Sequence, residues 1–508
     1  MKFPDFPRLS RDRAFLIRIS LVIVGTSVVL AWIVSLAAPT FPRAASPGMA
    51  ASEDELRIAR IRNPALATLG ILPADCFDLD PAEVRSVVAP QDETPDSSPV
   101  AALHRGLRRG EVAIAITALE NLPSDLRHRN EFLGDLFVAS DRRDEALSAY
   151  RAEWEMFPEA SYSSRSITLL LQAAGLEAPL RKHLADPRAA RALTIRERLD
   201  LRADLRDFGG LLVECVRFDL ARLAHFAVVP GLFTGAIWFF ILAAFLRLDR
   251  RAVTIGLASF LAGAISTVLT LFTVIVQERV QGFTLVATDP PLNQVIYMTA
   301  GVGLREETLK LLCFAPLAFV VARRRDDLLA LFAAGLAGLG FAVMENIGYI
   351  QTNPDTFTAW SRLLSANALH ICLTGVAGYW LYRMIVRRGR GWDDFLLNFV
   401  IAVVAHGLYN SVIAVPALAE YQIFGIILLA LIAYRYLDTL RAHLDTRGIR
   451  RRVSPLGVFV LGSVVLACAA LVFAAAGQPF RFALGSFFVA VGNLIPLAFV
   501  YISRFRDL

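Results

Sequence analysis

Charge is scarce in this sequence. Only 19% of its 508 residues are charged, whereas 56% are hydrophobic and the mean hydropathy is +0.52. A soluble protein of this size carries more polar residues, so the composition predicts a polytopic membrane protein. The net charge of +6 does not imply a nucleic-acid partner, because basic residues of membrane proteins collect in cytoplasmic loops.

Several familiar motifs are also missing. The chain contains no P-loop, no dinucleotide-binding fingerprint, no Ser-His-Asp set and no HExxH pair. Lysine occurs only three times, as Lys2, Lys182 and Lys310, and only Lys310 lies in an apolar segment. The sequence therefore excludes the common nucleotide-binding and serine-hydrolase signatures and directs attention to the surroundings of Lys310.

Cysteine is rare as well, with five residues. Cys313, Cys372 and Cys468 lie in apolar segments and are expected to be small apolar side chains. Cys76 and Cys215 lie in the polar part of the chain, where an oxidising compartment would permit a disulfide. Spacing alone fixes no distance between them, so their pairing stays open.

Long apolar runs dominate the rest. About ten of them reach the ~20 residues that cross a bilayer, so we predict an all-α, polytopic helical membrane protein. The predicted spans are 15–37, 226–246, 252–276, 294–322, 328–351, 363–386, 395–415, 421–439, 455–475 and 482–501. The glycines Gly335, Gly338 and Gly340 predict close packing of the fifth span against its neighbours.

Arginine clusters predict the orientation. Alternate loops carry them, at 247–251, 323–325, 387–390, 447–452 and 504–506, which places both termini in the cytoplasm by the positive-inside rule. We expect a multi-pass protein of the bacterial cytoplasmic membrane, with the bilayer itself as a partner. The first span follows four basic residues and predicts an uncleaved anchor; a cleavable signal peptide is the alternative.

One polar stretch interrupts the apolar pattern. We predict four domains: an N-terminus and anchor (1–38), an extracytoplasmic helical insert (39–222), a membrane core (223–440) and a final pair of spans (441–508). Residues 132–158 resemble a tetratricopeptide repeat, since Leu133, Phe137, Ala146 and Tyr150 have its spacing. Two positions depart from that pattern, Asn130 and Glu153. Such a repeat domain is either a structural cap or a site that binds a peptide.

The membrane core carries polar side chains in four consecutive spans. They are Glu306, Glu307, Lys310, Glu345, Asn346, His370, His406 and Asn410. Measured at 1.5 Å per residue from the cytoplasmic end of each span, Glu306, Glu345, His370, His406 and Asn410 lie about 18–27 Å up, in one layer. Ionisable groups inside a bilayer are costly and mark functional sites, so we predict a single site.

The order of these motifs carries a resemblance. Glu306-Glu307-x-x-Lys310, Phe341-x-x-x-Glu345-Asn346, His370 and His406-x-x-x-Asn410 resemble the motifs of the PrsW family of intramembrane proteases, which is related to the prenyl-protein and bacteriocin-immunity endopeptidases. The resemblance covers about residues 226–440. It implies hydrolysis of peptide bonds in membrane-tethered proteins, typically single-pass substrates such as anti-sigma factors.

Amide hydrolysis needs a base, a group that stabilises the oxyanion and an acid for the leaving amine. We assign Glu306 as the base, with Glu345 and His370 completing water activation or proton transfer. His406 and Asn410 would face the substrate carbonyl. Helical geometry turns Glu307 about 100° from Glu306, so we predict a supporting role for it. Lys310, Asn346 and Phe341 are also assigned supporting roles, Lys310 as the charge partner of Glu306.

Two alternatives stay open. His370, His406, Glu306 and Glu345 could instead bind Zn²⁺, whose usual nitrogen and oxygen ligands they are. The polar layer could also form a relay in a proton- or ion-coupled transporter. Transporters usually show matching broken helices in two halves, which this sequence does not show, so an enzyme is favoured. A non-catalytic sensor is the third possibility.

Overall fold

The computed structural model describes residues 6–37, 112–246, 249–352, 357–445, 453–477 and 479–506. Every regular element in these ranges is helical, which confirms the all-α fold class. The α-helices, numbered in chain order, are α1 (Phe6–Leu9), α2 (Arg13–Ala37), α3 (Val112–Glu120), α4 (Arg129–Ala139), α5 (Arg143–Met156), α6 (Ser161–Ala173), α7 (Glu177–Leu184), α8 (Pro187–Arg191), α9 (Ile195–Asp204), α10 (Phe208–Arg222), α11 (Val228–Ala243), α12 (Arg250–Ile275), α13 (Pro291–Ile296), α14 (Leu304–Ala322), α15 (Asp327–Thr352), α16 (Phe357–Val386), α17 (Trp392–Ala414), α18 (Gln422–Asp445), α19 (Pro455–Gly477) and α20 (Phe480–Phe505). Two π-helices, Val276–Val280 and Tyr297–Gly303, and a 3-10 helix, Pro416–Tyr421, complete the described elements.

Seven of the described helical segments are long and apolar enough to cross a membrane. They contain α2, α12, α15, α16, α17, α18 and α19. This agrees with a polytopic helical membrane protein. The other three predicted spans coincide with α11, α14 and α20; α11 has only 16 residues, and α14 carries the charged site residues. The count of ten stays a prediction.

The chain forms two compact units. One comprises Met1–Phe41 and Phe208–Leu508, and the other comprises Pro42–Asp207. Helix α10 belongs to the first unit, where Asp219 Oδ2 accepts a hydrogen bond of 2.6 Å from Thr267 on α12. The sequence had placed α10 in the insert. The four-domain division stays a prediction.

Helix α15 forms the centre of the membrane unit. Nearly all of its residues from Leu328 to Val343 are buried, and it packs against α12 and α16. A Cβ atom at Gly338 would lie 2.1 Å from the carbonyl oxygen of His370, and one at Gly340 would lie 1.9 Å from that of Phe260. Only glycine permits backbones to approach this closely, so the predicted close packing is confirmed. The Gly338 contact brings α15 close to α16 beside His370, and the Gly340 contact brings α15 close to α12.

The second unit has its own core. Leu133, Phe137, Ala146 and Tyr150 pack together, as the helical spacing predicts. The unit shows how Glu153 is used: its carboxylate accepts the backbone N–H groups of His128 at 2.5 Å and Asn130 at 3.2 Å. These are donors at the start of α4, which otherwise lack partners within the helix. Glu153 therefore caps α4 from the neighbouring helix α5.

The predicted pairing of Cys76 with Cys215 lies outside the described residues, because Cys76 is not among them. Cys215 is buried in α10.

Candidate functional site

The polar residues of α14 are positioned by a π-helix. The segment Tyr297–Gly303 runs directly into α14, whose first turn carries Glu306 and Glu307. Helix α17 lies against this segment, because a Cβ atom at Gly303 would be 2.7 Å from the carbonyl oxygen of Val403 and one at Gly407 would be 2.4 Å from Cα of Thr299. This close approach sets His406 beside the first turn of α14.

Glu307 has the most hydrogen bonds in the cluster. Its Oε1 lies 2.7 Å from Nζ of Lys310 and 2.8 Å from Nδ1 of His406, while Oε2 accepts a bond of 3.1 Å from Thr374. The Glu307 side chain is fully buried. Although its position on α14 differs from that of Glu306, it joins three helices, α14, α16 and α17.

Glu306 has fewer partners. Its Oε2 lies 3.6 Å from Nε2 of His406 and 3.7 Å from Nζ of Lys310. Within the described residues this buried oxygen has no hydrogen-bond partner. Lys310 is thus closer to Glu307 than to Glu306, the partner that the sequence suggested. An unpartnered buried carboxylate oxygen is costly, and here it faces an imidazole nitrogen.

His370 lies between a cation and an acid. Its Nδ1 is 2.8 Å from Nζ of Lys310, and its Nε2 is 3.0 Å from Oε2 of Glu345. The same Glu345 oxygen pairs at 2.8 Å with Arg362. Phe341 forms a wall, since its ring centroid is 5.2 Å from that of His370 and 4.1 Å from Nζ of Lys310. Lys310, fully buried, is therefore surrounded by anionic, imidazole and aromatic groups.

Two predicted residues lie apart from this cluster. Asn346 donates to Asn367 at 3.0 Å, and Asn367 in turn lies 3.5 Å from Thr234 on α11. This is a separate buried network between helices. Asn410 is half-buried one turn after His406, and within the described chain it makes no hydrogen bond to the cluster.

Three polar residues of α16 contact the predicted site residues and were not predicted from the sequence. Thr374 contacts Glu307, Arg362 contacts Glu345 and Asn367 contacts Asn346. Arg362 and Asn367 precede His370 by eight and three residues, and Thr374 follows it by four. Periods of three to four place Asn367 and Thr374 on the face of His370, which is the signal that could have found them.

Comparison with known families tests the resemblance. Residues 251–434 match the model of the PrsW family intramembrane metalloproteases. This part of the chain is similar to PrsW-family domains, and we call it the PrsW domain. It contains every catalytic candidate named above, and it supports an intramembrane protease activity. Neither a search of curated proteins nor a search of solved structures found a match, and the tetratricopeptide-like interpretation of the insert gains no support from these comparisons.

The PrsW domain contains a group suited to a metal ion. Glu306, His370 and His406 each offer one ligand atom, and these atoms lie within 4.8 Å of one another. They are the nitrogen and oxygen donors that Zn²⁺ prefers. Glu345, the fourth ligand suggested by the sequence, is instead paired with Arg362 and His370.

Hydrogen bonding around these donors also fits a metal. Glu307 is paired with Lys310, and an ionised carboxylate only accepts hydrogen bonds, so Nδ1 of His406 is the donor at 2.8 Å. In a neutral imidazole, Nε2 is then the nitrogen with a lone pair, and it faces Glu306 at 3.6 Å. A carboxylate that orients a ligating imidazole in this way is common at zinc sites. His370 would give up its contact with Lys310 or with Glu345 on binding a metal.

Proposed function

We propose that the chain is an endopeptidase that hydrolyses a peptide bond of a single-pass, membrane-tethered protein near the outer face of the bacterial cytoplasmic membrane. The observation that carries this proposal is the Glu306 carboxylate oxygen that has no hydrogen-bond partner among the described residues and lies 3.6 Å from Nε2 of His406. Membership of residues 251–434 in the PrsW family supports the same activity.

Glu306 is the base in this proposal. It takes a proton from water while the water oxygen attacks the carbonyl carbon of the substrate, and the proton later reaches the leaving amine as the C–N bond breaks. His370, hydrogen-bonded to Glu345, assists this proton transfer. Asn410, one turn beyond His406, orients the substrate carbonyl.

The alternative is a metal-dependent mechanism, in which Glu306, His370 and His406 would hold a zinc ion and Glu306 would be a ligand instead of the base. A bound zinc ion would polarise the substrate carbonyl and lower the pKa of water. The protein's own contribution is to position His406, through the contact of its Nδ1 with Glu307. Low exposure of these residues keeps bulk water from the site.

Location and partners follow from the same proposal. Both termini lie in the cytoplasm and the helical insert lies outside it, because the arginine-rich loops favour that orientation. An extracytoplasmic insert is placed to bind the outer segment of a substrate before cleavage.

The deciding experiment compares N-terminal peptides of membrane proteins in cells that express the wild type or Glu306→Gln. This change removes the base and little volume. Glu420→Gln, an exposed acid on the 3-10 helix, is the matched control. We expect defined new N-termini of single-pass proteins in the wild type and in the control, and their absence with Glu306→Gln.

Identical N-termini from all three strains, with the Glu306→Gln protein folded and equally abundant, would contradict hydrolysis. In that event proton-coupled transport becomes the function to test, since carboxylates and histidines at one depth also form proton relays.

A further inference from the structure

A cleft opens between α17 and α18. Helix α17 buries His406 on one face and exposes Val400, Val404 and Leu408 on another. The cleft has a volume of about 420 Å³. Its lining is apolar except at one position, and it consists of Val400, Ile401, Val404, Ala405, Leu408, Leu428, Leu431, Ile432 and Arg435.

Arg435 lines the cleft with an exposed side chain, and the described residues leave its charge uncompensated. Its Nε and Nη2 donate to the same neutral acceptor, Oδ1 of Asn398, at 3.1 and 2.9 Å. The nearby acids are already paired: Asp394 with Arg387 at 3.4 Å and Asp438 with Arg504 at 3.1 Å. Within the described chain no carboxylate lies within 4 Å of the Arg435 guanidinium. A charged group in a membrane-spanning helix is costly without a partner.

The polar end of the cleft lies close to one membrane surface. Asn398 is six residues from the start of α17 and Arg435 is ten residues from the end of α18, or about 9 and 15 Å along the two helices. The loop before α17, at the same end, carries the basic residues Arg387, Arg388 and Arg390. From this end the apolar lining extends along α17 to Leu408, about 12 Å beyond Val400.

We propose that this cleft binds an anionic phospholipid, with the phosphate group on Arg435 and an acyl chain along the apolar lining. A phosphate compensates the guanidinium and matches its hydrogen-bond geometry. Basic pockets between membrane helices bind anionic headgroups in this manner. A transmembrane helix fits less well, because an apolar helix face offers no anion to the guanidinium.

The test measures lipid binding and does not depend on protease activity. The full chain, purified and stripped of lipid, is titrated with phosphatidylglycerol or phosphatidylcholine and examined by native mass spectrometry. We expect the wild type to prefer phosphatidylglycerol and Arg435→Gln to lose about tenfold in affinity for it, as for loss of a charge-assisted hydrogen bond. Arg390→Gln removes an exposed arginine at the same membrane end and should stay within about twofold of the wild type.

Val404→Phe is the second variant. It fills the cleft, keeps Arg435 and changes a position that already faces outward, so it tests the acyl chain independently of the headgroup and of folding around Arg435. We expect a loss of phosphatidylglycerol affinity here too. The proposal is wrong if the wild type binds both lipids equally, if Arg435→Gln and Arg390→Gln lose affinity equally, or if Val404→Phe binds phosphatidylglycerol like the wild type.

Discussion

Nδ1 of His406 lies 2.8 Å from Oε1 of Glu307, and this contact determines which imidazole nitrogen faces Glu306. The two adjacent glutamates of α14 consequently differ in environment. Glu307 is bonded to Lys310, His406 and Thr374, whereas Glu306 keeps a buried oxygen without a hydrogen-bond partner among the described residues. One acid organises the site, and the other is available to water, substrate or metal.

Substitution by glutamine should change the free energy of unfolding differently at the two glutamates. Glu307→Gln leaves the buried Lys310 without its closest anionic partner, and breaking such a pair costs about 3–5 kcal/mol. Glu306→Gln leaves the Lys310–Glu307 pair intact, so we expect a change in the free energy of unfolding of less than about 1 kcal/mol. Denaturant unfolding of the purified protein in detergent measures both values. Equal losses of stability in the two variants would contradict the conclusion that Glu307, and not Glu306, is the main anionic partner of Lys310.

Loss of the base should lower the rate of the chemical step and leave substrate binding nearly unchanged. We expect Glu306→Gln to reduce kcat by a factor of about 10²–10⁴, the usual contribution of a general base, with KM changed far less. A reconstituted cleavage assay on a single-pass substrate measures the two constants separately. A change confined to KM would show that Glu306 binds substrate without activating water.

Metal content tests the choice between a glutamic and a metal-dependent mechanism. The glutamic mechanism predicts no bound zinc, whereas the metal-dependent mechanism predicts about one zinc ion per chain, as for a catalytic site with three protein ligands. His406→Ala should remove it, and Glu307→Gln should weaken binding by about 10–100-fold through its contact with His406. Elemental analysis after dialysis against a zinc buffer gives the occupancy. His443→Ala, a change on α18 outside the cluster, is the control; full activity of a zinc-free preparation would support the glutamic mechanism.

Close packing of α15 on α16 should be needed for the site. In Gly338→Ala the new Cβ would lie 2.1 Å from the carbonyl oxygen of His370, so the helices must separate. Overpacking of this kind costs about 1–3 kcal/mol and moves His370 from Lys310. Gly25→Ala is the control, because a Cβ there meets nothing within 4 Å. The midpoint of thermal unfolding and the cleavage rate should both fall for Gly338→Ala, and neither should change for Gly25→Ala.

The insert offers an independent prediction. Glu153→Ala removes the acceptor of two backbone N–H groups at the start of α4, and an unsatisfied buried donor costs about 1–3 kcal/mol. Glu153→Gln keeps one acceptor oxygen and should therefore destabilise the start of α4 less than Glu153→Ala. Hydrogen exchange of the full-length protein, followed in the peptide that covers residues 128–139, measures the opening of this helix. Equal exchange in both variants and the wild type would contradict a capping role.

Many features of the site could be predicted from the sequence. Glu306, Lys310, Phe341, His370 and His406 do meet, because ionisable residues at one depth in consecutive apolar helices are costly unless they face one another. Helical periodicity likewise predicted the packing of Leu133 and Phe137 against Tyr150 in the insert. Both predictions rest on the spacing of residues within single helices, and this spacing is visible in the sequence.

The sequence could not predict which side chains within the site form hydrogen bonds or ion pairs with each other. The i,i+4 spacing of Glu306 and Lys310 suggested that they pair, but Lys310 lies nearer to Glu307, and Asn346 belongs to a different network. Rotation of each helix about its axis and side-chain conformation decide these contacts.

The sequence by itself determined that this chain is an all-helical membrane protein with one cluster of polar residues in its PrsW-like part. Hydropathy and periodicity depend only on the order of residues, which is why they sufficed. Only the tertiary structure decided that Glu307 forms a hydrogen bond with His406, that one Glu306 oxygen has no hydrogen-bond partner among the described residues, and that Arg362 pairs with Glu345. Those outcomes depend on glycine contacts such as Gly303 with Val403, which set how closely two distant segments of chain approach.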